Sequence, residues 1–255
     1  MESLFDLTGK VAVITGSSRG IGKAIAERMA QHGARVVISS RKADACEQVA
    51  SAIRERGGEA MALPCNISHK DQLQALVDRT IAAWGRIDVL VCNAAVNPYF
   101  GPTQDIPDDA FDKILHCNIR SNHWLCQMVI PAMAQRGDGV VIIVSSIGGL
   151  RGNQALGTYG VTKAADMQLA RNLAVEWGPS NVRVNCLAPG LIKTDFARTL
   201  WENEEILRAS IRGSALKRIG DVDEIAGAAV FLASRAGGFT TGETLVIDGG
   251  ATILG

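Results

Sequence analysis

The sequence has no stretch of about 18 uninterrupted apolar residues, the length that a membrane-spanning helix needs. It also has no excess charge of either sign, since 26 Lys and Arg balance 26 Asp and Glu in 255 residues. A chain without surplus basic charge has little to attract a polyanion such as nucleic acid. We therefore expect no membrane partner and no nucleic-acid partner.

The six cysteines form no Cys-x-x-Cys pair and lie mostly in apolar surroundings. We interpret them as reduced core thiols and assign no metal site. The amino end, MESLFDLTGK, lacks a basic region followed by an apolar run, and the carboxyl end, ATILG, carries no recognisable peroxisomal or retention signal. These features predict a cytoplasmic protein.

Short β-branched runs alternate with longer stretches of helical periodicity, and no linker or low-complexity segment divides them. This alternation is typical of β-α-β units. We predict a single domain over residues 1–255 with an α/β fold, a doubly wound (Rossmann) seven-stranded parallel sheet with helices on both faces. The strands are predicted at Lys10–Thr15, Arg35–Ser39, Glu59–Leu63, Asp88–Cys92, Val140–Ser145, Val182–Leu187 and Thr244–Ile247.

A glycine-rich turn follows the first strand, where a doubly wound sheet binds its ligands. Gly16 allows a tight turn, Gly20 lets a pyrophosphate approach the backbone, and Gly22 permits close packing of the next helix. The amino end of that helix presents unpaired N–H groups to phosphates. By itself the turn could be an ordinary connection, but its place in a β-α-β chain favours dinucleotide binding.

The second strand does not end with the acidic residue that would bind the 2′-hydroxyl of NAD. It continues as Ser40-Arg41-Lys42, and Arg19 lies within the glycine turn. Two guanidinium groups and a serine hydroxyl suit a 2′-phosphate, which favours NADP(H) as the cofactor. The alternative is that Arg41 and Lys42 merely begin a solvated helix.

Ser146, Tyr159 and Lys163 are the candidate catalytic residues. Tyr159 and Lys163 are four residues apart at the start of a predicted helix, so they face the same side. The lysine charge favours the phenolate form of tyrosine, which enables Tyr159 to transfer a proton, and Ser146 could hold the substrate oxygen. Tyr-x-x-x-Lys alone would be an ordinary helix face, but the whole set indicates a carbonyl/alcohol oxidoreductase.

With these motifs the sequence resembles the short-chain dehydrogenase/reductase family over essentially its whole length. The resemblance rests also on Cys92-Asn93-Ala94-Ala95, on Asn118 and on Pro189-Gly190-Leu191-Ile192-Lys193-Thr194. It implies an NADP(H)-dependent oxidoreductase, and a homotetramer. It implies that Asn118 completes a catalytic tetrad by holding a water that relays protons from the lysine to solvent.

The resemblance also implies a set of cofactor contacts. The carboxamide of the nicotinamide is expected at Ile192 and Thr194, and the ribose units near Asn93 and Ala94. The complete expected set is Gly16, Ser18, Arg19, Gly20, Ile21, Ser40, Arg41, Asn66, Asn93, Ala94, Tyr159, Lys163, Pro189, Gly190, Ile192 and Thr194.

Two positions depart from the family pattern. The usual Asn-Asn-Ala-Gly reads Cys92-Asn93-Ala94-Ala95, and the common aspartate after the third strand is Asn66. Neither departure removes a catalytic group. The amide oxygen of Asn66 can still accept a hydrogen bond from an adenine amine.

The segment at about 191–215 is expected to be a substrate loop or lid over the nicotinamide. Phe196, Leu200 and Trp201 could form its apolar cover, or could instead pack on the core or on a neighbouring subunit. The residues expected across the opening are Val96, Tyr99, Leu150 and Leu156.

The substrate is expected to be an apolar small-molecule carbonyl or alcohol, and two other functions remain open. The first is a 3-oxoacyl carrier-protein or CoA reductase, which would use the same tetrad and cofactor. Its acidic carrier would need a basic surface, but the arginines at 198, 208 and 212 are interleaved with glutamates. The second is a non-catalytic NADP-binding regulator, which the intact catalytic set disfavours.

Overall fold

The computed structural model describes residues 3–254. Residues 1, 2 and 255 of the expected domain, at the two ends used to predict localisation, lie outside this described range. Within it, the strands are β1 (Val11–Thr15), β2 (Arg35–Ser39), β3 (Glu59–Ala62), β4 (Val89–Cys92), β5 (Gly139–Val144), β6 (Val182–Pro189) and β7 (Thr244–Ile247). All seven correspond to predicted strands; the main difference is that β6 continues to Pro189.

The strands form one sheet in the order β3-β2-β1-β4-β5-β6-β7, and every pair is parallel. The helices of residues 3–254 are α1 (Gly20–Gln31), α2 (Ala43–Glu55), α3 (Lys70–Trp84), α4 (Asp108–Leu115), α5 (Ser121–Arg136), α6 (Gly157–Trp177), α7 (Arg198–Glu202), α8 (Glu204–Arg212) and α9 (Val222–Ala233). From β1 the strand order continues to one side of the sheet with β2 and β3, and to the other side with β4 to β7. Ligands bind at such a switch point, which here lies between β1 and β4.

Two hydrophobic cores cover the two faces of the sheet. Alternate residues of β1 point to opposite faces, so Ile14 packs in one core and Val13 in the other. The first core contains buried residues of α1, α2 and α9, and the second contains buried residues of α3, α5 and α6. This arrangement confirms the predicted doubly wound α/β fold with helices on both faces.

An irregular helical turn places a buried polar side chain near the carboxyl edge of the sheet. A π-helical turn at His116–Arg120 joins α4 to α5 and contains the buried Asn118. Such turns occur frequently at functional sites. The sequence pattern does not predict this turn.

All six cysteines are buried and free, as expected of reduced core thiols. Among residues 3–254, no helix is both long and apolar enough to cross a membrane.

Candidate active site

The glycine turn after β1 leaves no room for side chains at two of its positions. A Cβ atom on Gly16 would lie 3.0 Å from the Cα atom of Ala94, and one on Gly22 would lie 2.5 Å from the carbonyl oxygen of Gly16. Gly16 and Gly20 also have positive φ angles, 66° and 56°, which glycine adopts without strain. The backbone of this turn, termed the cradle, therefore packs directly against the loop after β4 and the start of α1.

The amino end of α1 has free capacity for an anion. Its preceding residue, Arg19, makes no side-chain hydrogen bond to the first turn of the helix. The first N–H groups of a helix need partners, and the helix dipole favours negative charge at this position. Ser18 and Ile21, also predicted as cofactor contacts, lie at the same turn and are half-buried. Cradle and helix end together fit the pyrophosphate of a dinucleotide.

Two hydroxyl groups outside the predicted set of residues hold this turn in place. Ser17 donates through Oγ to the carbonyl oxygen of Ile14 at 2.7 Å and accepts from the backbone N–H of Ser39 at 2.8 Å. The Thr15 hydroxyl accepts from the backbone N–H groups of Asn93 and Ala94 at 3.0 and 3.1 Å. Because these bonds join the carboxyl ends of β1, β2 and β4, they fix the edge on which a ligand would lie.

Asn93 binds the turn from the other side. Its side-chain amide donates to the carbonyl oxygens of Thr15 and Gly16 at 2.9 and 3.2 Å. The altered motif Cys92-Asn93-Ala94-Ala95 therefore retains an asparagine that fastens the glycine turn to β4.

The residues proposed for the adenosine end lie after β2 and β3. Arg41 is exposed, while the Arg19 guanidinium is 3.9 Å from a carboxylate oxygen of Asp195. The Ser40 hydroxyl lies 3.1 Å from the Cys46 thiol. Asn66 accepts the backbone N–H of Ser68 at 3.2 Å through its amide oxygen, which retains capacity for a second hydrogen bond.

The segment after β6 approaches the glycine turn. A Cβ atom on Gly20 would lie 3.5 Å from the Thr194 methyl carbon, so the predicted phosphate and nicotinamide contacts are neighbours. The N–H of Gly190 donates to the carbonyl oxygen of Ile247 at 2.9 Å, which ties the segment following Pro189 to β7. Ile192 is buried. The predicted cofactor residues therefore line one continuous edge of the sheet, and the arrangement fits a dinucleotide.

The candidate catalytic side chains come together beside this edge. The Lys163 ammonium lies 5.6 Å from the centre of the Tyr159 ring. A Cβ atom on Gly148 would lie 3.4 Å from the Ser146 hydroxyl oxygen and 3.9 Å from a ring carbon of Tyr159, so both side chains border the same space. Ser145 donates to the carbonyl oxygen of Lys163 at 2.7 Å, which fixes α6 against the end of β5.

Lys163 is almost completely buried, with 2% of its side chain exposed. Its ammonium donates to the carbonyl oxygen of Val144 at 2.8 Å and to a carboxylate oxygen of Asp166 at 3.0 Å. Burial opposes the charge, but Asp166 and then Tyr159 outweigh it, so the pKa of Lys163 lies above its ordinary value. The structure therefore places the Lys163 ammonium charge beside the phenol ring.

Asn118 is completely buried and linked to α6. Its side-chain amide accepts from the N–H of Val96 at 2.9 Å, and donates to the carbonyl oxygen of Val96 at 3.0 Å and to the Thr162 hydroxyl at 3.2 Å. Thr162 in turn donates to the carbonyl oxygen of Tyr159 at 2.7 Å. Asn118 thus connects the loop after β4 with the helix that carries Tyr159 and Lys163.

The predicted cover residues Phe196 and Trp201 have different surroundings. Phe196 is exposed, and its ring centre lies 6.2 Å from that of Tyr159. Trp201 instead donates through its indole N–H to the carbonyl oxygen of Thr194 at 2.7 Å, which fastens α7 to the segment after β6. On the opposite side, Tyr99 and Leu156 line a crevice together with Tyr159.

Comparison with known proteins places this geometry among oxidoreductases. The family model described as enoyl-(acyl carrier protein) reductase matches residues 16–252. The Bos taurus dehydrogenase/reductase SDR family member 4 is 43% identical over 248 residues, which cover 96% of this chain and 88% of that protein. The Homo sapiens protein of the same name is 41% identical over 247 residues, with the same 96% and 88% coverage.

Solved structures of similar proteins have the same fold. A Burkholderia cenocepacia gluconate 5-dehydrogenase in complex with NADP and tartrate is 32% identical, with a TM-score of 0.94 and coverage of 98% of this chain and 97% of that one. A 7α-hydroxysteroid dehydrogenase in complex with NADH and 7-oxo glycochenodeoxycholic acid is 37% identical, with a TM-score of 0.94 and 98% coverage of both chains. The chain belongs to the short-chain dehydrogenase/reductase family, as its glycine turn and its Ser146, Tyr159 and Lys163 set indicate.

Proposed function

We propose that this protein is an NADP(H)-dependent oxidoreductase that interconverts a ketone or aldehyde with an alcohol. The observation that carries the proposal is the buried Lys163 ammonium, 5.6 Å from the ring centre of Tyr159. Ser146 borders the same space as that ring. A phenol, a fixed positive charge and a hydroxyl donor are the groups needed to protonate and hold a carbonyl oxygen.

The roles of these side chains follow from their chemistry. When bound, the nicotinamide supplies the hydride in reduction and accepts it in alcohol oxidation. Tyr159 donates its phenolic proton to the carbonyl oxygen in reduction and accepts the alcohol proton in the reverse direction. Ser146 donates a hydrogen bond to the same oxygen, and Lys163 stabilises the phenolate that remains.

NADP(H) is proposed over NAD(H) because of the groups around the end of β2. Arg41 is exposed next to Ser40, and Arg19 extends from the glycine turn with 67% of its side chain exposed. These groups supply positive charge and a hydroxyl donor where an enzyme selective for NAD would use a carboxylate.

An apolar carbonyl compound is the proposed substrate class. The Phe196 ring centre lies 6.2 Å from that of Tyr159, and Tyr99 and Leu156 line the crevice beside Tyr159 together with polar residues. An acyl carrier protein is less well supported, because two of the three arginines near the opening pair with acids. Arg198 lies 2.6 Å from Asp195, and Arg208 lies 2.7 Å from Glu204.

The experiment is a rate measurement with purified protein, NADPH or NADH, and a panel of aromatic ketones, aliphatic ketones and acyl thioesters. We expect sustained oxidation of NADPH with at least one ketone, and slower oxidation with thioesters. Absence of turnover with every ketone, while NADPH still binds, would refute the carbonyl reductase proposal. Faster turnover of 3-oxoacyl thioesters would favour the alternative reductase.

We further propose that four copies assemble into a homotetramer. The edge strand β7 and the segment that follows it expose apolar side chains, including Val246 at 38% and Ile253 at 83%. Apolar surface concentrated at a sheet edge supports contact with another chain.

A further inference from the structure

Asp166 is a buried acid beside the proposed catalytic lysine, and the chemistry described above does not use it. Its side chain is 0% exposed. One carboxylate oxygen accepts from the Lys163 ammonium at 3.0 Å, and the other accepts from the Asn122 amide at 2.9 Å. A buried carboxylate is unfavourable unless it is paired and hydrogen-bonded, so this arrangement requires its partners.

The hydrogen bonds around Asp166 also extend to Asn118, another member of the proposed tetrad. Asn122 also donates to the carbonyl oxygen of Asn118 at 2.7 Å, within the π-helical turn. The Cys186 thiol donates to the main-chain carbonyl oxygen of Asp166 at 3.4 Å, from β6. Asp166 is therefore held by α5, α6 and β6, and its position relative to Lys163 is fixed.

We propose that Asp166 is a positioning residue that fixes the buried Lys163 ammonium and keeps it charged. This inference rests on the proposed function, because it assigns to Asp166 a part in the proton transfer through Tyr159. The ammonium has three donors; Val144 and Asp166 accept from two of them, and Lys163 lies over the Tyr159 ring.

The carboxylate has two electrostatic effects. Burial alone lowers the pKa of Lys163, and the negative charge of Asp166 opposes this effect. The Val144 carbonyl is neutral and cannot replace that charge. Asp166 also partly cancels the field of the ammonium at the phenol, because the two charges are only 3.0 Å apart. Without Asp166, Lys163 would lose its proton at a lower pH, but while charged it would stabilise the phenolate more strongly.

Burial raises the pKa of the Asp166 carboxyl above its ordinary value, and Lys163 and then the Asn122 amide oppose that shift. The other titratable groups around the pair add little charge to it. Three thiols face this region, Cys92 on β4, Cys126 on α5 and Cys186 on β6. The hydrogen bond from Cys126, and then burial, raises the pKa of Cys92, and burial raises the pKa of Cys186. Both thiols are therefore neutral near physiological pH. Arg171 on α6 is exposed, so solvent screens its charge.

The two effects shift the pH profile of alcohol oxidation in the same direction. In Asp166→Asn the acidic limb, where activity rises with pH, should move to lower pH because the uncompensated ammonium favours the phenolate. The alkaline limb, where activity falls with pH, should also move to lower pH because the ammonium deprotonates earlier. We expect both limbs to move down by about one pH unit or more. A purely structural residue would lower stability without moving the limbs.

The matched control is Asp88→Asn, the same substitution at another buried acid. The Asp88 side chain is 1% exposed, accepts from the Val11 N–H at 2.9 Å and pairs with Arg86. It precedes β4, at the opposite end of the strands from the site. This variant should lose thermal stability but keep the wild-type pH profile. An unmoved or upward-shifted profile in Asp166→Asn would overturn the proposal.

A second measurement is independent of turnover. In protein labelled with ¹³Cε-lysine, the Lys163 resonance, assigned by its loss in Lys163→Arg, reports the charge directly. It should stay in the ammonium form beyond the ordinary lysine value of about 10.4 in the wild type, and titrate lower in Asp166→Asn. Titration of wild-type Lys163 clearly below that value overturns the proposal even if Asp166→Asn does not fold. A protein inactive towards all ketones but with this titration behaviour would refute the proposed function alone.

Discussion

Tyr159 is the residue on which the proposed chemistry depends most directly. Tyr159→Phe removes the phenolic hydroxyl and keeps the ring that contacts Phe196. Because a positioned proton donor contributes about 10²- to 10⁴-fold, we expect kcat to fall by at least a hundredfold. Affinity for NADPH, measured by fluorescence titration, should stay within about threefold. A variant that keeps more than roughly a tenth of the wild-type kcat would contradict the assignment.

At the other end of the proposed cofactor site, Ser40 and Arg41 should determine the choice of cofactor. Hydrogen bonds to a charged group contribute about 1.5–3 kcal/mol each, so NADPH should exceed NADH by roughly ten- to a hundredfold in kcat/KM. Most of the difference should lie in KM, because the phosphate is remote from the reacting carbon.

Ser40→Asp combined with Arg41→Ile should reverse this preference. The carboxylate repels a 2′-phosphate and offers the NAD ribose an acceptor. Lys42→Ile, which removes an adjacent exposed positive charge, is the control and should leave the preference nearly unchanged. Equal kcat/KM for the two cofactors in the wild-type protein, at matched ionic strength, would refute the NADP proposal.

The sequence predicted the residues whose position follows from local geometry. Tyr159 and Lys163 share a face because they are four residues apart in one helix, and Ser146 follows a strand that ends at the ligand-binding edge. It did not predict Asp166. Three residues beyond the lysine, this acid looks like part of a solvated helix face, and only the packing of α6 against β6 and α5 buries it.

At the scale of elements, the seven strands were predictable because parallel strands buried on both faces are continuous apolar runs. The π-helical turn at His116–Arg120 was not, since its sequence continues the helical pattern of α4 and α5. The segment 191–215 was expected to have helical character, and it contains α7 and α8. Which of its apolar residues face Tyr159 depends on the path of the chain, and so could not be read from the pattern.

The packing of the glycine turn against α1 can be tested by adding one methyl group at Gly22. In Gly22→Ala the new methyl group would overlap the Asn93 amide nitrogen and lie 2.5 Å from the Gly16 carbonyl oxygen. Such overpacking should destabilise the protein by about 1–3 kcal/mol in urea denaturation, and NADPH affinity should fall as the cradle shifts.

The matched control is Gly227→Ala, in the interior of α9. Gly227 is exposed and its added methyl group meets nothing within 4 Å. Since alanine favours the helix, this variant should be more stable by about 0.5–1 kcal/mol and should bind NADPH normally. Equal stability and equal NADPH affinity in Gly22→Ala and the wild type would contradict the proposed role of the turn.

For the whole molecule, the exposed apolar carboxyl segment predicts self-association. Ile253→Asp introduces a charge where 83% of the side chain is accessible in the single chain. If this surface is covered by another copy, the buried charge should dissociate the proposed tetramer into smaller species in sedimentation velocity. Ala83→Asp, on the exposed part of α3, should leave the assembly unchanged. A wild-type protein that sediments as a single chain would refute the proposal.

The strand order of the sheet also affects how the chain can acquire its structure. No neighbouring pair is a hairpin; the first pairing joins Val11 to Arg35, and the central pair β1 and β4 joins Ala12 to Val89. Each contact therefore closes a long loop before it gains any stabilisation, and such topologies fold slowly. During synthesis the middle of the sheet must wait for β4 to emerge. The edge of β6 stays unpaired until Thr244 can align with Cys186, which exposes a transient strand edge to aggregation and to chaperones.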